Sequence, residues 1–223
     1  MKPTDKIHKS WLPLINHLLK DERFEKIRKS IGSEFFPSRE NIFTAFSMPV
    51  NEVRAVIVAL SPYKADFANG IAMSTDGRAT PTLEIICEAL ASQYNDITVN
   101  DTFDFTLQKW INQGILLLNL SLTVPKNGGA RDHVVYWYWF VEGVIKAISE
   151  QANIPIALLG RDAEKLDSVI PHEKVKVCCH PMATKYRLKD YDFIYNIPLK
   201  YNFVKQNMFL WFDSFNLNIN WYE

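Results

Sequence analysis

Cysteine, glycine and net charge are all scarce in this 223-residue chain. It has three cysteines and eight glycines, and its 25 lysines and arginines balance 25 aspartates and glutamates. Three cysteines are too few for a disulfide scaffold, and a bridge between the sequence neighbours Cys178 and Cys179 would be strained. A neutral chain is not a histone-like binder of nucleic acid, although a local basic groove is compatible with this balance. The 48% hydrophobic content excludes disordered and collagen-like chains.

Long apolar runs are also missing. The longest, residues 134–141, is far too short to span a bilayer, and residues 1–6 lead into no sustained apolar core of a signal peptide. No C-x-x-C or paired His/Cys spacing suggests a zinc site. We therefore expect a soluble intracellular protein with reduced thiols, no metal, no cofactor and no membrane partner. It would lie in the cytoplasm of a bacterium, or in a host cell or its nucleus if the source is viral.

The chain does contain an alternation of buried runs and amphipathic segments. Near-continuous aliphatic runs predict strands over residues 53–60, 115–119, 154–159 and 174–179. Helical spacing predicts helices over residues 8–30, 40–46, 81–90, 105–113, 136–152 and 203–215. This order predicts an α/β fold with a mainly parallel central sheet. Because no linker or repeat interrupts it, we expect one domain over residues 1–223, with residues 1–35 as an N-terminal helical segment.

Three of the four predicted strands end on distinctive polar residues. Ser61 follows the first strand, Asn119 closes the second and His180 follows the fourth. The ligand crevice of an open parallel sheet lies at the carboxyl ends of its strands, so Asn119 and His180 are candidates to read the edge of a small planar ligand. Taken singly, each also has a structural interpretation: a turn cap for Asn119, a hydrogen-bonded core histidine for His180 and a turn residue for Ser61.

Six segments resemble, in order, the family 1 uracil-DNA glycosylases. Residues 37–46 resemble the family's P-x-x-x-x-[VI]-F-x-A-F segment, and residues 56–64 (VIVALSPYK) resemble V-I-L-G-Q-D-P-Y-H. Residues 69–74 (NGIAMS) resemble H-G-L-A-F-S, and residues 113–124 (QGILLLN followed by LTV) resemble Q-G-V-L-L-L-N-x-x-L-T-V. His180-Pro181 stands where the family has H-P-S, and Asn220-Trp221 resembles the closing I-D-W. The resemblance covers about residues 36–221, with an extra stretch near residues 191–202. It implies a three-layer α/β/α fold around a four-stranded sheet.

The resemblance also implies a set of site residues. The family flips a uracil out of the DNA stack and cleaves its glycosidic bond. The catalytic positions are His180, which would donate to the pyrimidine oxygen on which charge develops, and Ser61, which would hold a water. The base-binding positions are Leu60, Tyr63, Met73 and Asn119, with Tyr63 excluding a 5-methyl group and the Asn119 amide bonding the pyrimidine edge. The DNA-binding positions are Lys64, Pro81, Thr82, Gly160, Arg161, Met182, Thr184, Lys185 and Arg187.

Within the last group, direct counting puts Thr184 at the tip of the family's minor-groove wedge, with Tyr186 or Met182 as alternatives. Pro81 and Thr82 would form a loop that pinches the DNA backbone. Gly160 and Arg161 would form a small phosphate-contacting turn.

Five positions depart from the family's pattern. The catalytic Asp is Ser61, and a neutral hydroxyl cannot offset positive charge on the sugar. The other four are Leu60 for Gln, Lys64 for His, Met73 for the stacking Phe and Met182 for Ser.

These departures leave two functions open. One is a DNA glycosylase whose uracil cleavage is weakened or whose base specificity is shifted. The other is an inactive module that binds DNA or a protein partner, in replication or in defence and counter-defence. Expected partners are single- or double-stranded DNA, and a protein that contacts the aromatic helix at residues 134–141.

Overall fold

The computed structural model describes residues 2–95, 103–151, 153–183 and 203–222. The strands are β1 Phe35–Phe36, β2 Ala55–Ala59, β3 Ile115–Asn119, β4 Val124–Pro125, β5 Ile156–Leu159 and β6 Val175–Cys178. The α-helices are α1 Leu12–Leu19, α2 Glu22–Ser30, α3 Pro81–Tyr94, α4 Gln108–Asn112, α5 Val134–Ser149, α6 Arg161–Glu164 and α7 Met208–Asp213. Short 3₁₀ helices are Pro3–Lys6, Lys9–Trp11, Arg39–Asn41, Thr44–Ser47, Val50–Glu52, Lys165–Val169, His172–Lys174 and Phe203–Gln206.

The main sheet has four strands in the order β3-β2-β5-β6, and all of its neighbouring pairs are parallel. The predicted α/β class and the parallel central sheet are therefore confirmed. Alternate side chains of β2 enter separate hydrophobic cores, with Val56 and Val58 on one face and Ile57 and Ala59 on the other. Helices cover both faces, which gives the expected three layers.

On the first face, α1, α2 and α5 enclose an aromatic core. Trp11, Phe46, Trp137 and Phe140 are all at most 1% exposed, and the Trp11 indole donates to the carbonyl oxygen of Met48 at 2.7 Å. None of the aromatic side chains of residues 134–141 is fully exposed, because those outside the core are half-buried. The exposed large hydrophobic residue of this helix is Val135, at 73%.

Two predicted helices are shorter than the periodicity suggests, because each observed α-helix begins only after a residue with positive φ. The helix predicted over residues 105–113 begins only at Gln108, because Leu107 has a φ of 56° and the Asp104 carboxylate accepts from the backbone nitrogens of Thr106 and Lys109. The predicted tail helix is divided at Asn207, whose φ is 52°. Such left-handed residues interrupt a right-handed helix.

Two other segments differ in kind. The helix predicted over residues 40–46 consists of short 3₁₀ turns. The pairing of β1 with β4 is antiparallel and only two residues long, which is too short to leave an alternating pattern in the sequence. Among the helices of the described ranges, none is long and apolar enough to cross a membrane.

Candidate functional site

A cleft of about 1000 Å³ opens at the carboxyl ends of three strands of the main sheet. Its lining includes Ala59, Leu159 and Cys178, the last residues of β2, β5 and β6. The structure brings eleven of the predicted site residues to this lining: Leu60, Ser61, Tyr63, Lys64, Met73, Pro81, Thr82, Gly160, Arg161, His180 and Met182. Thr184, Lys185, Arg187 and the alternative wedge residue Tyr186 lie outside the described residues.

Asn119 is the predicted site residue that does not line the open cleft. It closes β3 opposite Ala59, and residues in register on parallel strands project from the same face of a sheet. Asn119 is therefore on the face that carries the cleft. Its side chain is 1% exposed, and neither its amide nitrogen nor its oxygen has a hydrogen-bond partner. It is the only described residue with buried side-chain atoms in that condition.

Such an unpartnered amide is energetically unfavourable in a folded protein. A buried donor or acceptor without a partner costs about 1–3 kcal/mol, and most native polar groups avoid it. Two orphaned atoms on one side chain, on the face of the sheet that carries the cleft, make Asn119 a candidate to bind a ligand. This observation separates Asn119 from a turn cap, which would be hydrogen-bonded to the backbone.

Tyr63 is fixed in the cleft wall by two hydroxyl contacts. Its oxygen lies 2.8 Å from Oγ1 of Thr80, and its hydroxyl donates to the carbonyl oxygen of Met73 at 3.2 Å. Thr80 also caps α3, since its Oγ1 accepts from the backbone nitrogen of Leu83. Burial raises the pKa of Tyr63, with the hydroxyls of Thr80 and Thr82 opposing it. The phenol is therefore neutral and held rigidly.

Met73 is buried with a φ of 63°. Left-handed backbone is uncommon for a residue that carries a long side chain, and such residues concentrate at functional sites. The conformation presents the Met73 carbonyl to Tyr63 while its side chain lines the cleft.

His180 follows β6 and is packed against the turn that begins α6. A Cβ placed on Gly160, whose φ is +88°, would lie 3.2 Å from the His180 Cβ, so this close approach favours glycine. The backbone nitrogen of Met182 donates to Nδ1 of His180 at 3.2 Å. Because an N–H can only donate, Nδ1 is unprotonated and the neutral ring carries its proton on Nε2. Nε2–H is then available as a donor.

Burial, to which the positive charge of Arg131 adds, lowers the pKa of His180 to about 4. The ring is consequently uncharged at neutral pH, so it is a hydrogen-bond donor rather than a cation.

The position after β2 carries a hydroxyl rather than a charge. Ser61 lines the cleft, and its side chain makes no hydrogen bond to any other described residue. Lys64, three residues on, is exposed and donates from Nζ to the carbonyl oxygen of Gly128 at 2.5 Å. This bond ties the segment after β2 to the loop that precedes α5.

Three charged residues of the cleft were missed in the sequence: Arg131, Asp162 and Glu164. Arg131 donates from Nε to Oδ2 of Asp162 at 2.6 Å. Burial disfavours the Asp162 carboxylate, but the Arg131 hydrogen bond and charge lower its pKa overall. The one available signal was the adjacency of Asp162 to the predicted residue Arg161. No group of three or more His, Cys, Asp or Glu side chains suited to a metal ion occurs within the described ranges.

Similar proteins of known identity share both sequence and fold with this chain. The uracil-DNA glycosylase of Streptococcus sanguinis is 32% identical over 187 residues, which cover 78% of this chain and 83% of that protein. The uracil-DNA glycosylase of Borreliella burgdorferi is 31% identical over 181 residues, or 76% of this chain and 80% of that protein. The crystal structure of mimivirus uracil-DNA glycosylase superposes with a TM-score of 0.69 at 18% identity, covering 81% of this chain and 71% of that one. No protein-family model matches the chain.

Proposed function

This chain belongs to the uracil-DNA glycosylase family, and we propose that it binds DNA and receives an extruded pyrimidine base in the cleft at the end of its parallel sheet. The observation that carries the proposal is the buried Asn119 amide, whose donor and acceptor both lack a partner. Extrusion is needed because the edge and the glycosidic bond of a base are inaccessible inside a duplex.

Asn119 fits the edge of uracil. Its amide supplies one donor and one acceptor, and uracil is complementary because its O4 accepts and its N3–H donates. Thymine presents the same two atoms but adds a 5-methyl group. Tyr63, held by Thr80 and Met73, is the rigid wall that would exclude that methyl group. Leu60 and Met73 complete the proposed base-binding set with apolar surface, and Met73 adapts more readily than an aromatic ring to a larger base.

His180 is proposed as the donor to the departing base. In glycosidic hydrolysis the carbon–nitrogen bond breaks with both electrons going to the base, while a water oxygen bonds to the sugar carbon and its proton finally reaches the base. Negative charge therefore develops on a pyrimidine oxygen. A neutral His180 with its proton on Nε2 supplies a hydrogen bond at that oxygen, as an oxyanion-type contribution.

Ser61 is the reason to propose weakened uracil cleavage or a shifted base specificity. The hydroxyl can hold the attacking water but adds no negative charge against the cationic sugar. Loss of one preorganised electrostatic group typically lowers a rate by about 10²–10³-fold. The same substitution supports the alternative function, an inactive glycosylase-fold module that binds DNA or a protein partner. The exposed Val135 on α5 is the feature that such a protein contact would use.

The DNA strand is proposed to cross the mouth of the cleft. Lys64 and Arg161 are exposed at this rim and would contact phosphates. Pro81 with Thr82, and Gly160, would place backbone against the strand, and Met182 borders the segment proposed as the wedge. Thr184, Lys185 and Arg187 remain proposals from sequence alone.

The test combines cleavage and binding on labelled oligonucleotides, single- and double-stranded, that carry uracil, thymine or modified cytosines. Alkali converts abasic sites to strand breaks, and a mobility shift reports binding. We expect tighter binding to uracil-containing DNA, slow cleavage, and a gain of about 10²-fold in cleavage for Ser61→Asp. Ser168→Asp, which adds the same charge at an exposed position outside the cleft, is the matched control.

The outcomes of that assay separate the candidates. Cleavage at any one base establishes a glycosylase. Binding without cleavage, even in Ser61→Asp, favours the inactive module. Absence of both binding and cleavage on every oligonucleotide overturns the DNA-directed function.

A further inference from the structure

Arg131 is a cation that lines the same cleft as His180. It lies in the loop between β4 and α5, and its Nε is bonded to Oδ2 of Asp162 at 2.6 Å. The Asp162 side chain is 18% exposed, whereas that of Arg131 is 72% exposed. The carboxylate is thus the buried anchor of the pair, and the guanidinium is the part that reaches solvent in the cleft. Neither terminal nitrogen of Arg131 is hydrogen-bonded to a described residue.

The anchoring carboxylate is shared with a second cation. Asp162 also faces Lys165, whose Nζ lies 3.5 Å from Oδ1. The Asp162 carboxylate therefore faces both Arg131 and Lys165, and Glu164 is a further carboxylate in the lining of the cleft. Arg131 supplies its positive charge through a planar guanidinium, which suits recognition of anionic oxygens.

This charge is close to His180. Asp162 is two residues beyond Gly160, which packs on the Cβ of His180, and Arg131, Asp162 and His180 all line the same cleft. The charge of Arg131 is felt at the imidazole ring, since it adds to the lowering of the His180 pKa. A ligand bonded to the Nε2–H of His180 would occupy the same positive field.

We propose that Arg131, anchored by Asp162, forms an anion site beside His180 that binds a pyrimidine ring in its anionic form. The inference rests on the proposed function, because it assumes that the cleft takes a pyrimidine base. It extends that function by assigning electrostatic work to a residue outside the motifs. With Ser61 the cleft has no carboxylate at the end of β2 to stabilise positive charge on the sugar, so stabilisation of the negative charge on the base carries more of the reaction.

The physical basis is the difference between a neutral and a charged ligand. A neutral pyrimidine gains from Asn119 and from the Nε2–H of His180, but gains little from a nearby cation. An anionic pyrimidine keeps both of those contacts and adds a charge interaction that is stronger in a partly desolvated cleft than in water. The site should therefore discriminate by charge among rings of equal size.

The experiment measures binding of two free pyrimidines to the intact chain by calorimetry at pH 7. Uracil is neutral there, and barbiturate is a pyrimidine of similar shape that is anionic. We expect the wild-type chain to bind barbiturate at least about tenfold more tightly than uracil, and added salt to reduce that preference. Arg131→Gln should abolish the preference and leave the uracil affinity within about twofold, whereas Arg131→Lys should retain part of it.

A matched control breaks an Arg–carboxylate pair elsewhere. Arg28 pairs with Glu25 on α2 at 2.7 Å, outside the cleft, so Arg28→Gln should change neither affinity. Thermal unfolding of each variant checks that the fold is intact, and Arg131→Lys provides the test if Arg131→Gln does not fold. Uracil binding without any preference for barbiturate, or a preference that survives in Arg131→Gln, overturns this inference alone. Failure of the wild-type chain to bind either pyrimidine overturns the proposed base pocket, and the anion site with it.

Discussion

Two buried polar side chains, four residues apart, have opposite hydrogen-bonding states. Thr123 is 0% exposed, and its Oγ1 accepts from the Trp137 indole at 2.7 Å and lies 2.9 Å from Nδ1 of His133. Asn119 is 1% exposed and has no partner for either amide atom. Burial is the same in the two places, so burial does not distinguish a structural polar group from one proposed to bind a ligand. The completeness of the hydrogen bonding does.

The Thr123 cluster is complete on its own. The Thr123 Oγ1 accepts from the Trp137 indole N–H and is also hydrogen-bonded to Nδ1 of His133. Burial lowers the pKa of His133, although the nearby Asp132 and a hydrogen bond to the Thr123 backbone oppose this. The cluster joins the segment after β3 to the beginning of α5, on the face of the sheet opposite to the cleft. Its role is to stabilise the fold.

The largest effect should follow removal of the Thr123 hydroxyl. Thr123→Val leaves the Trp137 N–H without its acceptor and His133 Nδ1 without its hydrogen-bond partner, both in the buried core. Each orphaned group costs about 1–3 kcal/mol, so we expect the free energy of unfolding to fall by about 2–4 kcal/mol in urea titrations. The control is Val135→Thr, which exchanges the same two residue types in reverse at an exposed position. It should change the free energy of unfolding by less than about 0.5 kcal/mol. A decrease of less than about 1 kcal/mol in the free energy of unfolding for Thr123→Val would contradict the structural role assigned to Thr123.

A substitution of Asn119 tests the other member of this pair of buried polar residues. Asn119→Leu replaces an unpartnered amide by an apolar group of similar shape, so the free energy of unfolding should stay the same or rise by about 1 kcal/mol. Uracil affinity should fall by at least about tenfold, since the ring then loses two hydrogen bonds. Thr123→Val should show the reverse pattern, with lower stability and unchanged uracil affinity. Destabilisation by Asn119→Leu would mean that the amide has a structural role.

Much of the fold was predictable because its determinants are local. The buried runs at β2, β3 and β5 are aliphatic without interruption, as strands covered on both faces must be. The carboxyl ends of parallel strands meet at one edge of the sheet, so the convergence of Ser61 and His180 on one cleft also followed from the order of elements. β6, at the edge, is only partly buried, with Val177 40% exposed.

The missed features depend on contacts between distant parts of the chain. Arg131 is a single charged residue in a loop, with no periodicity to mark it, and only the fold brings it to Asp162. The first residues of α4 and α7 are set by the left-handed residues Leu107 and Asn207, which directly precede these helices. A leucine gives no sequence signal for that conformation. That Asn119 lacks partners is likewise invisible in the sequence, because it depends on every side chain packed around it.

The smallest expected effect is the dependence of uracil affinity on pH. It concerns His180, which lines the cleft, whereas His133 lies in the core on the other face of the sheet. Since burial lowers the pKa of His180 to about 4, uracil affinity should change by less than about twofold between pH 5 and pH 8. The lowered pKa values of His180 and His133 act on stability instead. The unfolded chain takes up their protons near pH 6.5 and the folded chain does not, so the free energy of unfolding should fall as the pH drops from about 6.5 toward 4. Subtracting the same curve for His180→Gln isolates the contribution of His180. A change in uracil affinity centred near pH 6.5 would instead mean that His180 becomes charged near that pH. That result would contradict its proposed role as a neutral hydrogen-bond donor.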